Sequence, residues 1–173
     1  MKLDYGSGRQ PKAGFKSSDF CGAPNYDFYI QDYKVLDTED KSCDVIHCRN
    51  VIHHIPEEDL PLLFAEFKRL LKDDGELIIS EPREEFHEQN LILDLIWYRF
   101  LVNDDKIMIP YKYVNYKKYL VDFEKISSYD EYNNEIITFR KVPIKDEAER
   151  IRTARAGFWQ PKQAIQETTK VDV

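Results

Sequence analysis

The feature that most constrains this chain is the stretch from Asp44 to Ser80, where an apolar strand, an amphipathic helix and a second apolar strand follow in order. Asp44-Val45-Ile46-His47-Cys48 and Glu76-Leu77-Ile78-Ile79-Ser80 read as strands. Between them Leu60, Leu63, Phe64, Phe67, Leu70 and Leu71 recur at the helical period. Pro56 with Glu57, Glu58 and Asp59 suits the first turn, and Lys68, Arg69 and Lys72 suit the last, where their charges oppose the helix dipole. Gly75 is expected to stop the helix as a C-terminal cap. A strand–helix–strand unit of this kind requires a parallel pair joined by a right-handed crossover. The class is therefore α/β.

Further elements extend this unit on both sides. Residues 2–5 form a strand candidate that runs into glycines, and residues 15–19 one that ends in an acid. Residues 88–102 have helical propensity with apolar side chains around nearly the whole circumference, so such a helix must be buried. Residues 125–129 and 135–142 read as two strands joined through Tyr132-Asn133-Asn134, a hairpin signal. Residues 145–173 are polar, with a short helix expected around 148–156 and a loose tail after it. The expected organisation is one domain over 1–145, with 83–118 as a lid, substrate or dimer segment, and a C-terminal helix and tail over 146–173.

Composition narrows the function classes. A chain of 173 residues makes about one domain. Lys and Arg number 25 against 32 Asp and Glu, a net charge of −7, which argues against a broad basic field for a long nucleic acid. No apolar run reaches bilayer length, and Met1–Gly6 has no apolar core of a signal peptide. Cys21, Cys43 and Cys48 lack disulfide or zinc spacing, so a reduced, cytoplasmic setting is expected. The histidines show no metal-ligand spacing, and no metal is expected.

Four signals carry the chemistry. Asp4-Tyr5-Gly6-Ser7-Gly8 closes the first strand with glycines that let backbone N–H groups approach a ligand. Asp19 ends the second strand, where an acid can accept both ribose hydroxyls. Asp32 follows an apolar segment, where a carboxylate can meet an adenine amino group. The strand at Asp44 then leads through Arg49-Asn50-Val51-Ile52-His53-His54-Ile55-Pro56 into the helix. Each also has a plain reading, as a turn, a surface acid or a helix lead-in.

Together, in this order, the signals resemble the class I S-adenosylmethionine-dependent methyltransferases of the small type 11 kind. The acid-x-Gly-x-Gly loop is matched by Asp4-Tyr5-Gly6-Ser7-Gly8, and the Leu-Lys-x-x-Gly stretch before the fifth strand by Leu71-Lys72-Asp73-Asp74-Gly75. The resemblance is close over residues 2–82 and looser to 142. It implies a Rossmann-like, mostly parallel sheet in a three-layer arrangement, with a terminal antiparallel strand pair. It implies S-adenosylmethionine as cofactor, held by Asp4, Tyr5, Gly6, Ser7, Gly8, Asp19, Asp32, Tyr33 and Cys48. Two departures stand out. The third loop glycine is Gln10, followed by Pro11, and the span from Tyr5 to Phe15 is shorter than the dozen or so residues of a usual parallel crossover. The first helices are therefore expected to be reduced. Pro11 also breaks the Gly-x-Gly-x-x-Gly pattern of dinucleotide-binding folds.

The resemblance implies in-line methyl transfer to a small-molecule acceptor. Asn50, His53 and His54 are the candidates for a general base, with helix capping and packing as the plain alternative. His47 reads as a buried, hydrogen-bonded histidine, while Glu81 or Arg83 is placed to meet substrate. Trp97, Tyr98, Tyr111, Tyr113 and Tyr116 read either as an acceptor pocket or as core and dimer seam, and a homodimer through 88–102 is one expectation. Arg150, Arg152 and Arg155 stand near Phe158 and Trp159 either as a flap over the cofactor or as part of the tail. The alternative function is a non-catalytic partner subunit that keeps the fold for an interaction.

Overall fold

Among the described residues, eight strands form one sheet in the order β4-β3-β2-β1-β5-β6-β8-β7. The strands are β1 (Lys2–Tyr5), β2 (Lys16–Asp19), β3 (Phe28–Gln31), β4 (Val35–Leu36), β5 (Cys43–Arg49), β6 (Leu71–Pro82), β7 (Phe123–Glu131) and β8 (Asn134–Lys141). The computed structural model describes residues 1–8, 10–19, 26–31, 35–84 and 114–142. The chain divides into two units, Met1–Val142 and Pro143–Val173, and every described residue belongs to the first. The helix expected over 88–102 and everything expected beyond residue 142 lie outside the described residues.

Strands β1, β2, β3, β5 and β6 run parallel, while β4 pairs antiparallel with β3. The hairpin β7–β8 closes the other side, with β8 antiparallel to β6. Glu131 pairs with Asn134, so the hairpin turns through Tyr132 and Asn133, and Tyr132 takes φ 53°. The sheet is mixed, mostly parallel, with the expected antiparallel terminal pair. The chain runs outward from β1 through β2 and β3, then returns to β5 on the other side of β1. That reversal opens a crevice at the carboxyl ends of β1 and β5, the place where open α/β sheets bind ligands.

The helix α1 (Leu60–Leu70) follows short 3-10 turns at Ile52–His54 and Glu57–Asp59. Its stripe of Leu60, Leu63, Phe64, Phe67 and Leu70 is fully or almost fully buried. It packs on the face of the sheet formed by Leu3 and Tyr5 of β1, Ile46 and Cys48 of β5, and Leu77 and Ile79 of β6. Tyr5 meets Phe67 edge-to-face at 4.8 Å between ring centroids. Each such side chain contributes about 1.5–3 kcal/mol by leaving water. By strand alternation, Asp4, His47, Arg49, Ile78, Ser80, Ile136 and Thr138 share the opposite face. The described residues supply one helical layer, and the second layer of the expected three-layer arrangement is not among them. Among them no helix is long and apolar enough to cross a membrane.

Two details differ from the sequence reading. The helix ends at Leu70, and Gly75 is not its cap but lies within β6. Leu71 is drawn into the sheet by pairing with Cys43, which overrides its helical periodicity. Gly75 is needed there for space, because a Cβ would stand 2.9 Å from Leu71 Cδ2 and 3.1 Å from Lys72 O. The crossover from β1 to β2 matches expectation: its described residues contain no helix, only turns at Gly6 and Gly8 and around Ala13 and Gly14, the latter at φ 79°.

Arg69 ties α1 to the outer sheet. Its Nε and Nη2 both donate to the buried Glu66 carboxylate at 2.7 Å, while Nη1 donates to Thr38 O at 2.8 Å and to Asp40 Oδ1 at 2.6 Å. Glu66 Oε1 in turn accepts the Leu36 N–H at 2.9 Å. Removing one partner strands a buried charge, which costs about 3 kcal/mol or more. Arg69→Ala is expected to lose about that much in urea unfolding, and Glu66→Gln/Arg69→Met to recover part of it; equal losses in both would place the stabilisation in packing rather than charge.

Candidate functional site

The carboxyl ends of β1 and β2 are joined by side chains as well as by the sheet. Ser7 N–H continues the pairing by donating to Ser18 O at 2.9 Å, and Gly8 N–H donates to Asp19 Oδ2 at 2.6 Å. Asp19 is 2 % exposed. Gly6 turns the chain at φ 67°, and a Cβ on it would stand 2.4 Å from Val51 Cγ2, so the loop packs directly on the residue after β5 and its Asn50. Gly8, at φ 55°, has nothing within 4 Å of the corresponding position. One glycine thus answers to crowding and the other borders open space.

Asp4, buried beneath this loop, serves two elements. Its Oδ1 accepts from Nδ1 of His47 at 2.7 Å, and its Oδ2 accepts the Lys12 N–H at 2.7 Å. His47 is its register partner on β5 and is buried, as the sequence suggests. Tyr5 and Cys48, also register partners, turn their side chains into the core under α1. Burial pushes the Tyr5 phenol well above its usual range, reinforced by Cys48, Glu66 and Asp19. Burial likewise raises the Cys48 thiol, with Glu81 and Asp4 adding to the effect. Asp32 and Tyr33 follow β3 in the chain and lie outside the described residues.

The base candidates gather just past β5. Asn50 adopts φ 55° and accepts from Asn134 Nδ2 at 2.8 Å. Glu81 at the end of β6 is buried and holds the following turn: Oε1 accepts the Val51 and Ile52 N–H groups at 2.8 and 2.9 Å, and Oε2 meets His53 Nδ1 at 2.5 Å. Arg83 donates to Asp130 across to the hairpin at 2.8 Å. Glu81 is therefore occupied with positioning the 51–54 turn. The His53 and His54 rings lie 4.0 Å apart. Burial, helped by His53, lowers the His54 pKa to about 3.

On the sheet face opposite α1 a cavity of about 480 Å³ opens among Lys12, His47, Arg49, Ser80, Tyr129 and Ile136. None of these was singled out as ligand-binding from sequence. Arg49 gave a signal, as the last residue of β5, but a single cation at a strand end is too common to read alone.

Residues 3–124 match the family model described as a methyltransferase domain. The chain belongs to that family. S-adenosylmethionine is the methyl donor on which the family's class I resemblance rests. A comparison with curated proteins gives no match. Among solved structures, this methyltransferase-domain chain is similar to PH0226 of Pyrococcus horikoshii OT3, at TM-score 0.61 and 16 % identity, covering 81 % of this chain and 82 % of that one. It is also similar to a Burkholderia thailandensis 1,6-didemethyltoxoflavin-N1-methyltransferase with bound 1,6-didemethyltoxoflavin and S-adenosylhomocysteine. There the TM-score is 0.57 at 16 % identity, with 82 % and 70 % of the two chains covered. A Sulfolobus solfataricus protein described as a type 11 methyltransferase gives TM-score 0.55 at 18 % identity, over 85 % and 86 % of the chains. At these identities the likeness is one of fold.

Two expectations follow from the site. Gly6→Ala combines a left-handed backbone with a clash and is expected to lose about 2–4 kcal/mol in urea unfolding, whereas Gly8→Ala should lose only about 1–2 kcal/mol; equal losses would refute the packing on Val51. An unfolded histidine takes up its proton near pH 6.5, and half-buried His54 only near pH 3, so the unfolded chain binds the extra proton across that window. Stability should therefore fall as pH drops below 6.5, by at most about 1.4 kcal/mol per pH unit from this group. His54→Gln should flatten that limb of the curve, and superimposable curves would assign the acid sensitivity to other groups.

Proposed function

We propose that this chain transfers a methyl group from S-adenosylmethionine to a small-molecule acceptor, with the cofactor held at the carboxyl ends of β1, β2 and β3. The observation that carries the reading is the bond between Gly8 N–H and Asp19 Oδ2 at 2.6 Å, which sets a turn of backbone N–H groups beside a carboxylate at the crevice of the sheet. The residues fit the group. Asp19 offers the acceptor that a ribose diol requires, Gly8 faces open space, and Asp32 and Tyr33 follow directly on β3, the next strand along the edge. Tyr5 and Cys48 contribute through their backbone, since their side chains lie in the core.

When bound, the sulfonium supplies an electrophilic methyl and a thioether leaving group. The task of the protein is then alignment and, for an acceptor that carries a proton, its removal. Of the base candidates, His53 is oriented by the Glu81 carboxylate, as a general base requires. His54, held neutral down to about pH 3, is a weak base. Asn50 presents an amide at the same edge, fixed by Asn134. The net charge of −7 supports a small acceptor over a long nucleic acid, and Cys43 and Cys48 as buried free thiols support a reduced, cytoplasmic setting.

Calorimetry with S-adenosylhomocysteine is expected to give saturable binding, and the same ligand at a hundredfold over its Kd should stabilise the fold by about 2.7 kcal/mol. Asp19→Ala and Asp32→Ala should each weaken binding at least tenfold. No binding by folded protein would overturn the reading, and unchanged affinity in both variants would overturn the residue assignments.

A further inference from the structure

The cavity on the sheet face opposite α1 holds the one arginine among the described residues with no carboxylate to bind. Arg69 pairs with Glu66 and Asp40, Arg83 with Asp130 and Arg140 with Glu76. Arg49 lines the cavity and is exposed, and its side chain makes no hydrogen bond or ion pair with any described residue. Glu131 lines the same cavity without meeting it as an ion pair. Arg49 ends β5, one residue before Asn50, so its cavity adjoins the crevice to which the methyl-transfer reading assigns the chemistry.

We infer that this cavity receives the methyl acceptor, and that the acceptor carries an oxyanion, a carboxylate or phosphate, bound in the guanidinium fork of Arg49. The inference rests on the methyl-transfer reading for the acceptor role, and on the cavity alone for the oxyanion. A volume of about 480 Å³ suits a small molecule. Ile78 and Ile136 give an apolar floor and Tyr129, 57 % exposed, an aromatic rim for the uncharged part of such a molecule. Lys12 adds a second cation on a wall that is fixed in place, because its N–H is bonded to Asp4. On a chain of net charge −7, an anion finds an attractive field only where cations converge locally. The planar fork of arginine matches both oxygens of a carboxylate or phosphate, a geometry that lysine cannot reproduce.

The test uses the full chain and three aromatic probes: benzoate, phenyl phosphate and uncharged benzamide. Calorimetry is expected to show saturable binding of benzoate or phenyl phosphate, with benzamide at least tenfold weaker. Arg49→Gln should weaken the oxyanion at least tenfold, and Arg49→Lys should restore only part of the loss. Because Arg49 is exposed and unpaired, both variants should melt with the parent. S-adenosylhomocysteine affinity, measured on the same samples, should stay within twofold. Equal affinity for benzoate and benzamide, no binding of either oxyanion, or indifference to Arg49→Gln would overturn the inference while leaving cofactor binding standing. Arg49-dependent oxyanion binding without any S-adenosylhomocysteine binding would uphold the oxyanion site and overturn its role as the acceptor pocket. The stronger of the two anionic probes distinguishes carboxylate from phosphate.

Discussion

The centre of this molecule depends on how one buried carboxylate is shared. Asp4 sits on the strand where the sheet reverses direction, and a lone charge there would be costly to remove from water. Its two oxygens are divided between His47 on the neighbouring strand and the Lys12 N–H of the returning loop. The first bond locks β1 to β5 by side chain as well as backbone. The second fixes a short connection that, among its described residues, has no helix to give it shape. Loop, crevice and cavity wall all take their positions from this division.

A second carboxylate repeats the pattern two strands further on, on the other side of β5. Glu81 at the end of β6 accepts two backbone N–H groups and the His53 ring, so the turn after β5 is held from the neighbouring strand. The two acids share a logic: each ends in the interior, each satisfies backbone donors that a loop would otherwise leave open, and each orients a histidine. Among the described residues, preorganisation at this edge therefore comes from strand-borne acids.

Much of this was legible in the sequence. The strand–helix–strand unit, the strand at residues 2–5 and the terminal hairpin carry strong local periodicities, and they stand where expected. The order of acids and glycines from Asp4 to Asp19 resembles the family's by itself. What local pattern does not encode was missed. Leu71 reads as a helical residue until Cys43 pairs with it, and Gly75 reads as a cap until the strand runs through it. Glu81 looked ready for substrate because its partners, Val51, Ile52 and His53, are some thirty residues away in sequence. Arg49, Tyr129 and Ile136 come together only through the pairing of β5, β6, β8 and β7, so no spacing rule joins them.

Among the described residues, the hairpin strand β7 ends the sheet with a long and almost wholly exposed segment, nine residues in which only Phe123 is part-covered. A border of unsatisfied amides that long is a template on which further chains can stack. Here it carries Glu124, Lys125, Asp130 and Glu131, and its ladder slips between Lys125 and Ser127. Any strand added outside it would have to strip water from those charges and follow a kinked line. The same hairpin that furnishes a rim for the cavity thus also discourages fibre-like growth from this edge of the described sheet.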